Sequence, residues 1–195
     1  MFDTDSLVSD CLAAVRTERE PRRAVREILL RTLEKPGPVQ DAIGKDLGGL
    51  EVVYNSPELT VLNVIWAPGM KLYPHDHRMW ATIGIYGGVE DNTMYRRGPE
   101  RIAAAGGHLL QESEVLGLGA DAIHAVANPE RRFTGAIHIY GGDFVNQPRS
   151  QWDPDTLLEQ PYDLEEVRRL FAQANADWAA QAQAEVELDD EVDAS

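Results

Sequence analysis

His75 and His77 stand one residue apart in the stretch YPHDHRMWATIGIYGG, residues 73–88, of a chain that holds only five histidines. Along an extended strand, side chains two apart share a face, so both imidazoles project the same way. If that face is the interior of a small barrel, each ring needs a partner, because an unpaired buried polar group costs about 2 kcal/mol. A divalent cation satisfies both rings at once. The spacing alone equally fits surface histidines or hydrogen-bonded core histidines, so the elements around the pair must decide.

From about residue 5 to 47 the chain reads as helix. Leu7, Cys11, Leu12 and Val15 recur at helical steps, as do Val25, Ile28, Leu29 and Leu33, with Pro21 suited to a first turn and KPGPVQ ending the second helix. From about 50 to 146 the texture changes to short β-rich runs broken by glycine and proline, the pattern of an antiparallel sandwich or barrel. After PRSQWDPDT, the run DLEEVRRLFAQ returns to helix, with Val167, Leu170, Phe171 and Ala174 on one side. The expected organisation is a helical extension over 1–48, a barrel over 49–148, and a helix with an acidic tail over 149–195, all one structural unit. The class is mainly β within α+β.

The surroundings of the pair carry a resemblance. Gly69 precedes His75 by six, Gly87 and Gly88 close the hairpin after His77, and LGLGADAIHAVANP carries His124 with Asn128 four on. This resembles the two-part signature of the cupins, with Gly119 and Asp121 departing from its second half. The resemblance implies a double-stranded β-helix (jelly-roll barrel) and a metal held by His75, His77 and His124. The glutamate common in cupins would fall at Ala81 or Thr82, so three neutral imidazoles form the implied ligand set. Such donors suit iron(II), an anionic ligand and dioxygen, and accept zinc, nickel or manganese as well.

A cupin with three histidines and no glutamate, followed by His-x-Tyr, looks like the thiol dioxygenases, the cysteine and 3-mercaptopropionate dioxygenase group. Here that pair is His138 and Tyr140. The resemblance implies a hydrogen-bonded couple beside the metal, with Tyr140 donating to an oxyanion and His138 setting its rotor. Three markers on the substrate side differ. Thr82 stands at the crosslinking cysteine, Asn55 or Ser56 at the carboxylate-gripping arginine, and Ala136 at the serine two before His138. Arg78, Arg96, Arg97 and Lys71 are the cations that could take the arginine's place. Trp80 and Tyr86 are candidate walls of the substrate pocket, while Trp66, Trp152 and His108 are left to packing or solvent.

The function implied is a mononuclear iron(II) dioxygenase that converts a thiol, or a similar anionic chelator, to a sulfinate with O2. The alternatives are a metal-dependent cupin that cleaves carbon–carbon bonds or acts as lyase or isomerase, and a non-catalytic small-molecule binder. A net charge of −15 argues against a nucleic-acid partner, which needs a basic face. No stretch reads as a membrane span or a secretory leader, so a cytoplasmic protein is expected. A small-molecule substrate, O2 and a homodimeric pairing of barrels complete the expected partners. Residues 184–195 are acidic enough to predict a solvated, frayed end.

Overall fold

A computed structural model describes the backbone of residues 1–193 and the side chains of residues 1–185. Three helices come first: α1 (Thr4–Thr17), α2 (Pro21–Thr32) and α3 (Gly37–Ile43). Asp3 caps α1 by accepting from the Ser6 N–H at 3.1 Å, satisfying one of the amides that every helix start leaves unpaired. Pro21 opens α2, where its missing N–H costs nothing.

The β-rich region forms β1 (Gly49–Asn55), β2 (Thr60–Trp66), β3 (Lys71–Asp76), β4 (Ala81–Gly87), β5 (Val89–Arg97), β6 (Ile102–Gln111), β7 (Val115–Leu118), β8 (Ile123–Ala127) and β9 (Thr134–Tyr140). Two short strands, β10 (Ser150–Trp152) and β11 (Glu159–Pro161), precede the long helix α4 (Leu164–Asp193). One sheet runs β1-β2-β9-β4-β7 and the other β11-β10-β3-β8-β5-β6. From β2 to β9 the chain changes sheet at every step except the β5–β6 hairpin. That winding is the expected double-stranded β-helix.

Residues alternate between two different interiors. On β2, Leu62, Val64 and Trp66 face the barrel, whereas Val61 and Ile65 face the helices; on β9, Ala136 and Tyr140 face the barrel, and Ile137 and Ile139 the helices. Both strands are consequently buried along their whole length. Gly84 on β4 lets α2 approach: a Cβ there would sit 2.6 Å from Leu33 Cδ1 and 2.7 Å from Leu29 Cδ2. Gly88 turns the chain at φ +82°, a conformation open to glycine.

The two outermost strands at one edge of the second sheet differ from expectation. β10 and β11 lie in the stretch expected to hold only the C-terminal helix and acidic tail, and β10 pairs with β3 through Gln151 opposite His75. They carry the sheet past residue 148, the boundary expected for the barrel. α4 then lays Val167 and Phe171 on the barrel core, with Phe171 stacked 5.4 Å from Trp66. Burying such a side chain contributes about 1.5–3 kcal/mol. Asn175 fastens the helix to β1, accepting from the Gly48 N–H at 2.7 Å and donating to its carbonyl at 2.9 Å. The acidic tail differs from expectation as well, since α4 continues to Asp193. Side chains from 186 onward, and residues 194–195 altogether, lie outside the described residues.

Among the described residues, no helix is long and apolar enough to cross a membrane. The single cysteine, Cys11, is fully buried between the helices and the sheet, and burial pushes its thiol up to about 12. Against an ordinary value of 9.0, the thiolate fraction at neutral pH falls about a thousandfold. Cys11 is therefore expected to resist Ellman's reagent until the protein is unfolded. Prompt labelling of the native chain would show that the helices do not seal it.

Candidate metal centre

The barrel brings the three separated histidines together. His75, near the end of β3, sits directly opposite His124 in the β3–β8 ladder, and His77 follows one residue beyond β3. His77 Nε2 lies 3.2 Å from His75 Nε2 and 3.2 Å from His124 Nε2. All three rings are buried.

Their other contacts say which nitrogen is free. His75 donates its Nδ1–H to the Tyr73 carbonyl at 3.1 Å, and His124 donates its Nδ1–H to Asn92 Oδ1 at 2.7 Å. Both Nε2 atoms thus present lone pairs to one point. His77 Nε2 can give its proton to only one of them, and its Nδ1 is buried without a partner among the described residues. Burial pushes His75 down to about 4 and His77 and His124 well below the ordinary histidine range, the neighbouring rings adding to the effect. Neutral imidazoles are the form that binds metal.

The spacing fits a cation. Bonds of about 2.1 Å place two nitrogens about 3.0 Å apart at a right angle and about 3.4 Å apart at the tetrahedral angle. The two separations from His77, 3.2 Å each, fall between. A metal held here by His75, His77 and His124 would satisfy all three lone pairs; these are the residues that could hold it among those described.

The carboxylate between the pair does not join in. Asp76 points to the other face, where its Oδ2 meets Arg78 Nε at 2.6 Å and its Oδ1 accepts from the Ser150 N–H at 2.8 Å. It holds β10 against β3.

His138 and Tyr140 reach the same cavity from the opposite sheet, where β9 lies between β2 and β4. The Tyr140 hydroxyl is 3.1 Å from His138 Nδ1, and its ring stands edge-on to His77 with centroids 5.0 Å apart. Burial pushes the Tyr140 phenol well above its ordinary range, so the hydroxyl keeps its proton.

Beyond His138 lies a residue that sequence reasoning missed. Glu90, on β5, is fully buried and accepts from Trp66 Nε1 at 2.6 Å, Asn92 Nδ2 at 2.9 Å and His138 Nε2 at 3.3 Å. Burial alone would push this carboxyl up; His138, through its charge whenever the ring is protonated and through its hydrogen bond, outweighs it together with the Asn92 and Trp66 donors and holds Glu90 below the usual value. A continuous chain therefore runs from Tyr140 through His138, Glu90 and Asn92 to His124. The signal for Glu90 in the sequence is the alternation of Glu90, Asn92 and Met94 on one face of β5.

A second missed residue is Arg149. Its guanidinium lies between the Phe144 and Tyr162 rings, 3.9 Å from each centroid, and donates to the Phe144 carbonyl at 2.7 Å. Phe144 and Tyr162 line the cavity with His75, His124, His138 and Tyr140, and its free space is about 20 Å³. Among the described residues no carboxylate pairs with Arg149.

The other substrate candidates lie elsewhere. Trp80 packs on the helix-facing side of the first sheet. Tyr86 does the same, its hydroxyl donating to Asn63 Oδ1 at 2.7 Å. Both correct the expectation of pocket walls, because β4 is covered on both faces. Arg96 is exposed: a register shift between Met94 and Tyr95 breaks the alternation that would have turned it inward. Asn55, at the end of β1, donates to Asp143 Oδ1 at 3.0 Å, away from the cavity lining. Arg78 and Arg97 pair with Asp76 and Glu159, Lys71 is exposed, and His108 is exposed on β6. Asn128 braces a turn, donating to the Trp66, Ala67 and Arg132 carbonyls.

No family model matches the sequence. Among solved structures, the chain is similar to an RmlC-like cupin family protein with a double-stranded β-helix fold from Methanocaldococcus jannaschii, at 10% identity over 52% of this chain and 85% of that one, with a TM-score of 0.44. It is similar to a protein from Bacillus halodurans at 14% identity, covering 53% and 77%, with a TM-score of 0.48. It is also similar to the DMSP lyase DddQ from Ruegeria pomeroyi at 18% identity, covering 51% and 46%, with a TM-score of 0.41. At these identities the likeness is one of fold.

Proposed function

We propose that this protein is a mononuclear metal-dependent dioxygenase of the thiol dioxygenase type, acting on an anionic thiol. The observation that carries the reading is the pairing of an acid-free three-histidine cluster with a buried Tyr140–His138–Glu90 chain across one cavity. Iron(II) held by the three imidazoles would supply the activation of dioxygen, and the overall change, RSH + O2 to RSO2H, balances without a further reductant.

The chain's own residues account for the rest. Glu90 fixes the His138 Nε2–H, leaving Nδ1 to accept from the Tyr140 hydroxyl. Protonation of that ring reverses the Nδ1 bond and frees the phenol to donate into the cavity. Tyr140 thus holds a movable proton beside the reacting atom, oriented by His138. Phe144 and Tyr162 exclude water, and Arg149, stacked between them, supplies the positive charge that an anionic substrate requires. Arg149 takes over the part for which Arg96 was a candidate.

Oxygen uptake by iron-loaded protein against a panel of small thiols tests the reading. Tyr140→Phe is expected to retain its metal and lose about 100-fold in turnover. Uptake no higher than the metal-only background, for every thiol tried, would remove this substrate class.

A further inference from the structure

The space against the histidines is about 20 Å³. That is room for about one water-sized group. A substrate can bring its reactive atom there but must leave its body outside. Directly outside lies a groove of about 370 Å³ between the start of β1 and α4, and it shares Leu50, Leu62 and Phe144 with the inner cavity. Arg149 sits at that junction.

The groove is apolar where a surface should not be. Of the eight exposed large hydrophobic side chains among the described residues, Leu50, Val52, Val145 and Leu164 all line it. The cations there are Arg149 and, on α4, Arg168, in a chain whose net charge is −15. Arg168 is already paired with Glu165, which leaves Arg149 as the charge to be met. A concave apolar patch with one convergent cation is the form of a small-molecule site.

We propose that this groove receives the apolar body of the substrate, so that the substrate is an amphipathic anion: a carboxylate at Arg149, a reactive head reaching inward past Phe144, and an aliphatic or aromatic part lying along β1 and α4. The inference rests on the functional reading above for the head group alone. A compact polar amino-acid thiol would leave Leu50, Val52 and Leu164 in water.

The test uses metal-loaded full-length protein and thiol-free carboxylates, so that it stands apart from turnover. Titration calorimetry with butanoate, hexanoate, octanoate and decanoate is expected to show affinity rising about three- to fourfold per methylene until the groove is full. Two variants probe the walls: Ala172→Trp, which fills the groove from α4, and Val52→Asp, which opposes the chain with charge from β1. Each is expected to flatten the series, and the second serves if the first fails to fold. A flat series in the wild type overturns the proposal, as does an equal slope in a folded variant, which would mark adsorption elsewhere. A concentration-dependent dimer that Val52→Asp dissociates, with a flat series, would assign the groove to a second copy instead. Chain-length dependence without thiol oxidation would sink the dioxygenase reading and leave the groove standing; thiol oxidation indifferent to chain length would do the reverse.

Discussion

His77→Ala is expected to bring bound divalent metal from about one equivalent per chain to below about a tenth, with affinity weakened at least about 100-fold. The estimate follows from the weaker case: losing a residue that merely orients a ligand costs 10–100-fold, and His77 would be a ligand itself. Its Nε2 is the atom 3.2 Å from both of the others, so its removal leaves only His75 and His124 across the ladder. The ring's Nδ1 has no partner among the described residues, and its loss strands no donor there. The variant should keep its fold by circular dichroism while failing to retain iron after dialysis. His75→Ala and His124→Ala should do the same, each also freeing an acceptor, the Tyr73 carbonyl or Asn92 Oδ1. Metal retained at full stoichiometry by all three variants would mean that the cluster is only a packed set of rings.

The second large effect belongs to Glu90. Its carboxylate is fully buried and accepts from Trp66, Asn92 and His138 together. Glu90→Ala removes one acceptor and leaves three donors facing a void. Removing one partner of a buried charged network costs about 3–5 kcal/mol. For a chain of this size that corresponds to a fall in Tm of roughly 6–20 °C. Glu90→Gln keeps the shape but turns an amide N–H toward one of the donors; it should melt higher than the alanine variant while losing turnover, since His138 is no longer held with its proton on Nε2. Thermal unfolding of Glu90→Ala within about 2 °C of wild type would show that the carboxylate is not engaged as described.

What could be read in the sequence was what depends on local period. Two-residue spacing put His75 with His77, and His138 with Tyr140; His75, His138 and Tyr140 line the cavity, and His77 packs edge-on against Tyr140. Helical steps found α1, α2 and the packing side of α4, including Val167 and Phe171. Alternation failed where one sheet is buried on both faces. Trp80 and Tyr86 look in sequence like barrel residues, yet they pack against the N-terminal helices, because a period of two assigns residues to a common face without saying which face is inside. It failed at Arg96 for a different reason, the shift after Met94 that interrupts the pleat.

The sequence by itself pointed to the donors: His75, His77 and His124 among five histidines, their spacing, and the absence of a carboxylate at residues 81 and 82. Only the tertiary structure decided their partners. Glu90 reaches His138 from 48 positions away because β5 faces β9 across the barrel, and Asn92 reaches His124 from 32 because β5 pairs with β8. Arg149 joins the site through β10, a three-residue strand with no period long enough to read, held in place by Asp76. Local pattern is written in neighbouring residues, whereas the energy that orients a buried charge comes from groups the fold brings close.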